Sequence, residues 1–228
     1  MLILFDLDDT LLDTTGSITP YRLRQILDFL QSNGVRFASI KEAYAKLQEM
    51  ASVADSTQEA VKKFLESYRI EAKIEAIQDL LSTPLPPDMN VMLCPGAKEI
   101  LQDLYPFHDL ALVTRGFPDL QKQKWEKAGL DTSLFCKIAV VEPTARMGKK
   151  TVYELLLKER KKRASEVLVC GDHLTYDLRP AKELGCWTVL MQWGKGKRWK
   201  EDTELFDFTI SHLGELKSIV AHLQQRKR

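Results

Sequence analysis

A chain of 228 residues, 44% of them hydrophobic, can bury one full-sized core and still form a small second domain, which excludes an intrinsically disordered protein. The 33 Lys and Arg residues against 32 Asp and Glu residues leave a formal net charge of +1, so total charge does not indicate a polyanionic partner. No basic segment precedes the first apolar residues and no apolar run reaches roughly 18 residues, so we expect no membrane segment.

Six short apolar segments predict β-strands at residues 2–5, 110–114, 137–141, 166–170, 186–191 and, more weakly, 206–210. None of them alternates between polar and apolar residues, which is typical of strands covered by helices on both faces. Helical patterns lie between them, at 96–104, 120–129, 151–162 and 178–185. The alternation predicts an α/β fold with a doubly wound parallel sheet, in which ligands bind at the carboxyl ends of the strands.

Residues from about 16 to 89 interrupt this alternation with helical patterns alone. Apolar residues recur at helical spacing between Leu23 and Leu30, and Ser56 with Glu59 has the spacing of a capping box at the start of another helix. Three prolines between 83 and 90 then interrupt the helical pattern. We therefore expect a helical cap domain that acts as a lid over a discontinuous catalytic core, with the cap at 16–89 and the core at 1–15 and 90–228.

Four aspartates directly follow the first predicted strand: Asp6, Asp8, Asp9 and Asp13. Carboxylates gathered in this way repel one another unless a bound cation offsets them, and Mg²⁺ takes oxygen ligands of this kind. The alternative is that they are solvated turn residues that help to cap the next helix. A second acidic pair, Asp172 and Asp177, follows the fourth predicted strand at the same edge of the sheet, and this favours the metal site.

Two further segments at this edge supply groups that bind anions. The second predicted strand ends in Thr114, Arg115 and Gly116, which offer a hydroxyl, a bidentate anion binder and a flexible turn. Lys149 and Lys150 open a predicted helix. Metal-binding carboxylates, a hydroxyl and a lysine together indicate a site for phosphoryl transfer.

These segments resemble, in order and spacing, the four motifs of the haloacid dehalogenase-like hydrolase superfamily: DLDDTLLDT, LVTRG, the lysine before TVYELLL, and GDHLTYD. The helical insert resembles the mostly helical cap of that superfamily. The Asp-x-Asp-x-Thr pattern of Asp6, Asp8 and Thr10 is similar to its phosphatase and phosphomutase branches. The segment from 113 to 130 further resembles the nucleotidase and acylneuraminate-phosphate phosphatase relatives.

The resemblance implies a role for each matching residue. Asp6 would attack phosphorus and form an aspartyl-phosphate, while Asp8 would protonate the leaving oxygen and then activate water. Mg²⁺ would be held by Asp6, the backbone carbonyl of Asp8, and Asp172. Thr114 and a lysine would bind the transferring phosphoryl oxygens, and Asp177 would orient that lysine or a metal-bound water, which also places it among the candidate metal ligands.

Several assignments stay open at this level. Thr10 either contacts substrate or stabilises its loop, and Lys149 competes with Lys150 for one phosphate-binding position, slightly favoured by its spacing to Tyr153. Arg115, where the superfamily often has asparagine, binds either a second anionic group of the substrate, beside Gly116, or a neighbouring acid. His173, where serine is frequent, is interpreted as a hydrogen-bonding loop residue.

A basic loop at 193–200 interleaves Trp193 and Trp199 with four cations. Such a pattern can bind single-stranded nucleic acid, but we favour tryptophans packed beneath a solvated loop and expect no nucleic-acid partner. The cysteines, which have no zinc-ligand spacing, are expected to be reduced thiols of a cytoplasmic protein: Cys94, Cys136, Cys170 and Cys186.

The sequence as a whole predicts a Mg²⁺-dependent phosphatase that hydrolyses a small phosphomonoester, such as a nucleotide, a sugar phosphate or a similar metabolite. A phosphomutase would use the same residues, and a catalytically idle binding module would use the basic loop. The presence of Asp6, Asp8 and Asp172 together with a lysine argues against the idle module, which would not need all four. The cap sequence carries no ligand motif, so neither the substrate nor the oligomeric state is predicted.

Overall fold

The computed structural model describes residues 1–71, 74–199 and 204–225, so Lys200 of the basic loop lies outside the described residues. Within these ranges there are six strands: β1 Leu2–Phe5, β2 Asp109–Arg115, β3 Lys137–Val141, β4 Val167–Gly171, β5 Trp187–Met191 and β6 Phe208–Ile210. They form one parallel sheet in the order β3-β2-β1-β4-β5-β6. The predicted α/β fold with a parallel sheet is confirmed, and only the weak sixth strand is clearly shorter than predicted.

Strand β1 shows why the strand segments lack polar alternation. Leu2 and Leu4 point to one face of the sheet and pack in one hydrophobic cluster, while Ile3 and Phe5 point to the other face and pack in a second cluster. All four side chains are at most 1% exposed. Because both faces of the sheet are covered, every position of the strand is apolar.

Helices cover the sheet on both sides and also form the insert. They are α1 Thr14–Ser17, α2 Thr19–Ser32, α3 Ile40–Val53, α4 Thr57–Tyr68, α5 Ile74–Ser82, α6 Ala97–Leu104, α7 Pro118–Lys127, α8 Lys149–Glu159, α9 Arg179–Glu183 and α10 Leu216–Gln225. Helices α6 and α10 pack on the face of Ile3 and Phe5, and α8 and α9 pack on the opposite face. The sheet is therefore doubly wound.

Helices α2 to α5 enclose a hydrophobic cluster of their own, which includes Leu23, Leu27, Leu47 and Phe64. At the start of α4, Ser56 Oγ accepts a hydrogen bond from the Glu59 amide at 3.1 Å. The Glu59 carboxylate accepts from the amide of Asp55, one residue before the predicted capping-box partner. The helical insert thus has its own core, and its bounds at 16–89 stay a prediction.

Two further features bear on the sequence interpretation. All four cysteines are free thiols, and Cys94, Cys170 and Cys186 are buried. In the described part of the chain, no helix has the combination of length and apolar character that crossing a bilayer requires.

Candidate active site

A cleft lies at the carboxyl ends of β1, β2 and β4, next to the start of α4. Its volume is about 240 Å³. Six carboxylates and four cations line it: Asp6, Asp8, Asp9, Asp55, Asp172, Asp177, Arg115, Lys124, Lys149 and Lys195. With every carboxyl group ionised, these residues carry two negative charges in excess. A single divalent cation would offset that excess.

Asp6 is placed by the end of β1. Its amide donates to the carbonyl of Cys170 at 3.0 Å, which extends the pairing of β1 with β4 by one residue. Asp6 is 7% exposed. Burial raises the pKa of Asp6 to about 7 in the absence of a bound cation, although the positive charge of Lys149 opposes the shift.

Lys149 joins two of the aspartates. Its Nζ lies 2.5 Å from Asp6 Oδ1 and 2.6 Å from Asp177 Oδ1, and the second oxygen of Asp177 accepts a hydrogen bond from the His173 amide at 3.0 Å. Burial alone would lower the pKa of Lys149, but the neighbouring Asp177 and Asp6 raise it, so the ammonium stays charged. Asp177 therefore holds the lysine in place with both of its oxygens engaged.

Asp172 has a different environment. It is 7% exposed, and no hydrogen bond or ion pair from the described residues reaches its carboxylate. Burial, together with the charges of Asp177 and Asp6, raises its pKa well above the usual range. Oxygen atoms of Asp6, Asp172 and Asp177 lie within 4.8 Å of one another.

The Asp172 carboxylate is buried beside two further carboxylates and has no partner among the described residues. A cation that prefers oxygen ligands would stabilise it. The residues present therefore fit Mg²⁺. Lys149 bonds only Oδ1 of Asp6, so Oδ2 of Asp6 and the carboxylate oxygens of Asp172 are available as metal ligands.

Asp8 is held from three sides. Its carboxylate oxygens lie 2.8 and 2.9 Å from Lys124 Nζ, and it accepts hydrogen bonds from Thr14 Oγ1 at 2.5 Å and from Gln121 Nε2 at 3.0 Å. Burial would raise the pKa of Asp8, but Lys124 and these hydrogen bonds together bring it below its usual value. Asp6 and Asp8 thus lie in one cleft with pKa values shifted in opposite directions.

Thr114 is fully buried at the end of β2, and its Oγ1 accepts a hydrogen bond from Gln121 Nε2 at 2.6 Å. The same nitrogen donates to Asp8, so Gln121 connects the two predicted site residues. Gly116 donates its amide to the carbonyl of Val141 at 3.0 Å, and a Cβ at this position would lie 2.8 Å from the Gln121 side chain. Gly116 therefore provides the space in which Gln121 packs.

Four predicted site residues do not belong to the cleft lining: Thr114 and Gly116, described above, and also Thr10 and Lys150. Thr10 is buried, and its Oγ1 has no hydrogen-bond partner among the described residues. Lys150 is on the surface, where its Nζ bonds Glu183 at 2.7 Å. Of the two competing lysines, the structure thus brings Lys149, and not Lys150, to the aspartates.

The basic loop contacts both the cleft and the helical insert. Lys195 Nζ lies 3.3 Å from the carbonyl of Ala54, and burial lowers the pKa of this lysine although Asp9 and Asp172 oppose the shift. Arg198 donates to the carbonyl of Val53 at 2.9 Å and to the carboxylate of Asp55 at 2.7 Å, and its Nη2 lies 3.0 Å from His173 Nε2.

Both tryptophans of the loop are packed. Trp193 contacts the sheet core, and Trp199 donates to the backbone carbonyl of Asp172 at 3.0 Å. His173 caps the following turn by accepting from the amides of Thr175 and Tyr176, which agrees with its interpretation as a loop residue.

Sequence reasoning missed Lys124, Gln121 and Lys195. The first two lie three residues apart on α7 and are 8% and 1% exposed, so they share one buried face of the helix. Polar residues at this spacing indicate a shared helix face. Only the packing of α7 against the loop after β1 shows that this face meets Asp8.

Comparisons with known proteins agree with this geometry. The curated protein "Glyceraldehyde 3-phosphate phosphatase" from Methanocaldococcus jannaschii is 33% identical over 118 residues, which are 51% of this chain and 50% of that protein. The chain thus spans about half the length of this curated relative.

Two solved structures share the fold. One is described as a predicted phosphoglycolate phosphatase from Haemophilus somnus, with a TM-score of 0.68, 19% identity, and coverage of 96% of this chain and 97% of that one. The other is a HAD-hydrolase from Bacillus subtilis bound to magnesium, with a TM-score of 0.66, 20% identity, and the same coverage of both chains. The sequence model of the family "Haloacid dehalogenase-like hydrolase" matches residues 3–191. The chain therefore belongs to the haloacid dehalogenase-like hydrolases.

Proposed function

We propose that this protein is a Mg²⁺-dependent phosphatase that hydrolyses a small phosphomonoester through an aspartyl-phosphate on Asp6. The observation that carries the proposal is the grouping of Asp6, Lys149 and Asp172 at one edge of the sheet, with no partner for the Asp172 carboxylate among the described residues. The likeness to a glyceraldehyde 3-phosphate phosphatase supports a small phosphorylated metabolite as the substrate class.

Asp6 is the nucleophile in this proposal. Its carboxylate attacks phosphorus, the bond to the alcohol oxygen breaks, and the acyl phosphate forms on Asp6. Lys149, which Asp177 holds within 2.6 Å, stays charged and offsets the negative charge of the transferring phosphoryl group. Thr114 lies at the end of the neighbouring strand, and its hydroxyl can donate a hydrogen bond to a phosphoryl oxygen.

Asp8 carries the protons. It enters the first step protonated and gives that proton to the leaving alcohol oxygen. As a carboxylate it then takes a proton from the water that attacks the aspartyl-phosphate, which releases phosphate, restores the Asp6 carboxylate and leaves Asp8 protonated for the next cycle. Lys124, Thr14 and Gln121 orient the carboxylate for both steps. The ionised form that these contacts favour is the form needed to activate water.

Asp6, Asp172 and the backbone carbonyl of Asp8 would hold Mg²⁺. When bound, the ion supplies positive charge that keeps Asp6 ionised and neutralises charge on the phosphoryl oxygens. Asp177, whose two oxygens bond Lys149 and the His173 amide, positions that lysine in this proposal.

The helical insert contributes residues to the cleft lining. Asp55, Ser56 and Thr57 at the start of α4 line the same cleft as the aspartates of the sheet. We infer that this insert, with proposed bounds 16–89, is a cap that excludes bulk water and contacts the alcohol part of the substrate. The small volume of the cleft favours a short substrate.

The test is hydrolysis of p-nitrophenyl phosphate by purified protein, with Mg²⁺ and with excess chelator. We expect the protein to hydrolyse the ester with Mg²⁺ and not with excess chelator. The rate should fall roughly a thousandfold or more in Asp6→Asn, because the nucleophile is removed. Asp28→Asn, which changes an exposed aspartate on α2, is the matched control. A wild type that is inactive with Mg²⁺, or an Asp6→Asn variant with full activity, would overturn the proposal.

A further inference from the structure

Arg115 is a cation that lines the cleft and has no carboxylate partner in the described part of the chain. One of its N–H groups donates to the carbonyl of Pro143 at 3.2 Å, and its guanidinium lies over the ring of Tyr176, 4.8 Å from the centroid. Across residues 1–71, 74–199 and 204–225, no Asp or Glu forms an ion pair with it. The guanidinium has five N–H donors, so most of them are available to a ligand.

Two of the other three cations that line the cleft form ion pairs with aspartates. Lys124 is paired with Asp8, and Lys149 is paired with Asp6 and Asp177. Lys195 also has no ion pair among the described residues, but it is half-buried, the charges of Asp9 and Asp172 act on its pKa, and its Nζ bonds the backbone carbonyl of Ala54. Arg115, by contrast, is exposed and lines the cleft, and no carboxylate of the described residues pairs with it.

The sheet register places Arg115 near the nucleophile but beyond it. Phe5 lies opposite Leu112, so the position opposite Asp6 is Val113, and Arg115 follows two residues later. Neighbouring strands about 4.8 Å apart and a rise of about 3.3 Å per residue put the Cα atoms of Asp6 and Arg115 roughly 8 Å apart. A short molecule with its phosphate at Asp6 can therefore reach the guanidinium with its other end.

Tyr176 holds the guanidinium in this position. The cation lies over the face of the ring, an arrangement that stabilises it and restricts its rotation. The ring of His173 contacts Tyr176 with 4.5 Å between the centroids. An arginine that is already oriented loses less conformational freedom when it binds a ligand.

We propose that Arg115 binds a second anionic group of the substrate, so that the substrate is a short phosphomonoester with a carboxylate or a second phosphate at its other end. This inference rests on the proposed function, because it takes Asp6 to receive the transferred phosphoryl group. The planar guanidinium matches two oxygens of such a group in a bidentate, charge-assisted contact. A substrate whose other end is neutral cannot make that contact with Arg115.

The test measures binding of phosphonates, which the protein cannot hydrolyse, by calorimetry in the presence of Mg²⁺. Two ligands of equal chain length are compared: 3-phosphonopropionate, with a terminal carboxylate, and propylphosphonate, with a terminal methyl group. We expect the wild type to bind the acidic ligand roughly 10- to 100-fold more tightly. Arg115→Met is expected to lose this preference, and Arg115→Lys to keep part of it.

Arg24→Met is the matched control, because Arg24 also lies over a tyrosine ring, that of Tyr44 at 5.5 Å, but does not line the cleft. It should keep the wild-type preference. A third ligand, ethane-1,2-diphosphonate, keeps the two-carbon spacing between the anionic groups and distinguishes their two sources: tighter binding than 3-phosphonopropionate identifies a phosphate, and weaker binding identifies a carboxylate.

Equal affinity of the wild type for the acidic and the neutral ligand would overturn the proposal. So would a full preference in Arg115→Met, or no binding of any phosphonate. Because the readout is binding, its failure is separate from that of the proposed function, which fails when p-nitrophenyl phosphate is not hydrolysed.

Discussion

The ammonium of Lys124 contacts both carboxylate oxygens of Asp8, at 2.8 and 2.9 Å. This ion pair connects α7 to the loop after β1, and its side chains are 10% and 27% exposed. Gln121, one turn earlier on α7, bonds the same carboxylate and the hydroxyl of Thr114. Helix α7 therefore fixes the direction in which the proposed proton carrier points.

Replacing Lys124 by Met should lower kcat about 10- to 100-fold while KM changes less, because Asp8 keeps its carboxyl group but loses its orientation and charge partner. Steady-state hydrolysis of p-nitrophenyl phosphate measures both constants. Lys122→Met, two residues away, removes an exposed lysine of the same helix and serves as the control. An unchanged kcat in Lys124→Met would show that Asp8 does not depend on this lysine.

Arg198 should hold the helical insert against the sheet. It bonds the carbonyl of Val53 at 2.9 Å and the carboxylate of Asp55 at 2.7 Å. In Arg198→Leu we expect faster amide hydrogen exchange around residues 53–57 and a higher KM, because the cleft opens more often.

Lys197→Leu is the control for this variant, since Lys197 lies on the same turn but over the ring of Trp193. Exchange at 53–57 that is equal in the wild type and Arg198→Leu would contradict a role for this contact in closure.

Gly194 should not tolerate a side chain. Its φ is +46°, and a Cβ there would lie 2.2 Å from the carboxylate carbon of Asp9. Gly194→Ala is expected to lower the free energy of unfolding by about 1–3 kcal/mol, because both the backbone and the Asp9 contact are strained.

Urea denaturation measures the change in stability. Gly148→Ala, at a position where a Cβ meets nothing within 4 Å, should change stability by less than about 1 kcal/mol. Equal stability of Gly194→Ala and the wild type would mean that the loop relaxes without cost.

The sheet and half of the candidate site could be predicted from the sequence. Strands buried on both faces are continuously apolar, and the carboxyl ends of parallel strands share one edge, so the sequence alone predicts that Asp6, Asp172 and Thr114 lie at the same edge of the sheet. The fold follows from local patterns and a topological rule, and both are visible in one sequence.

The remaining features depend on contacts between distant segments. Lys124 meets Asp8 across 116 residues of sequence. The choice between Lys149 and Lys150 depends on the rotation of α8, which directs one lysine inward and the other to Glu183. Whether Arg115 is paired could be decided only by the positions of its neighbours, because charge patterns do not say which acids a side chain reaches.

The most direct test of the central claim is chemical trapping of the aspartyl-phosphate. Protein turning over p-nitrophenyl phosphate with Mg²⁺ is treated with borohydride, which reduces an acyl phosphate to an alcohol and would convert Asp6 to homoserine. Peptide mass spectrometry should then find homoserine at position 6 in the wild type, and none without substrate. Sustained Mg²⁺-dependent hydrolysis with unmodified Asp6 would contradict the account.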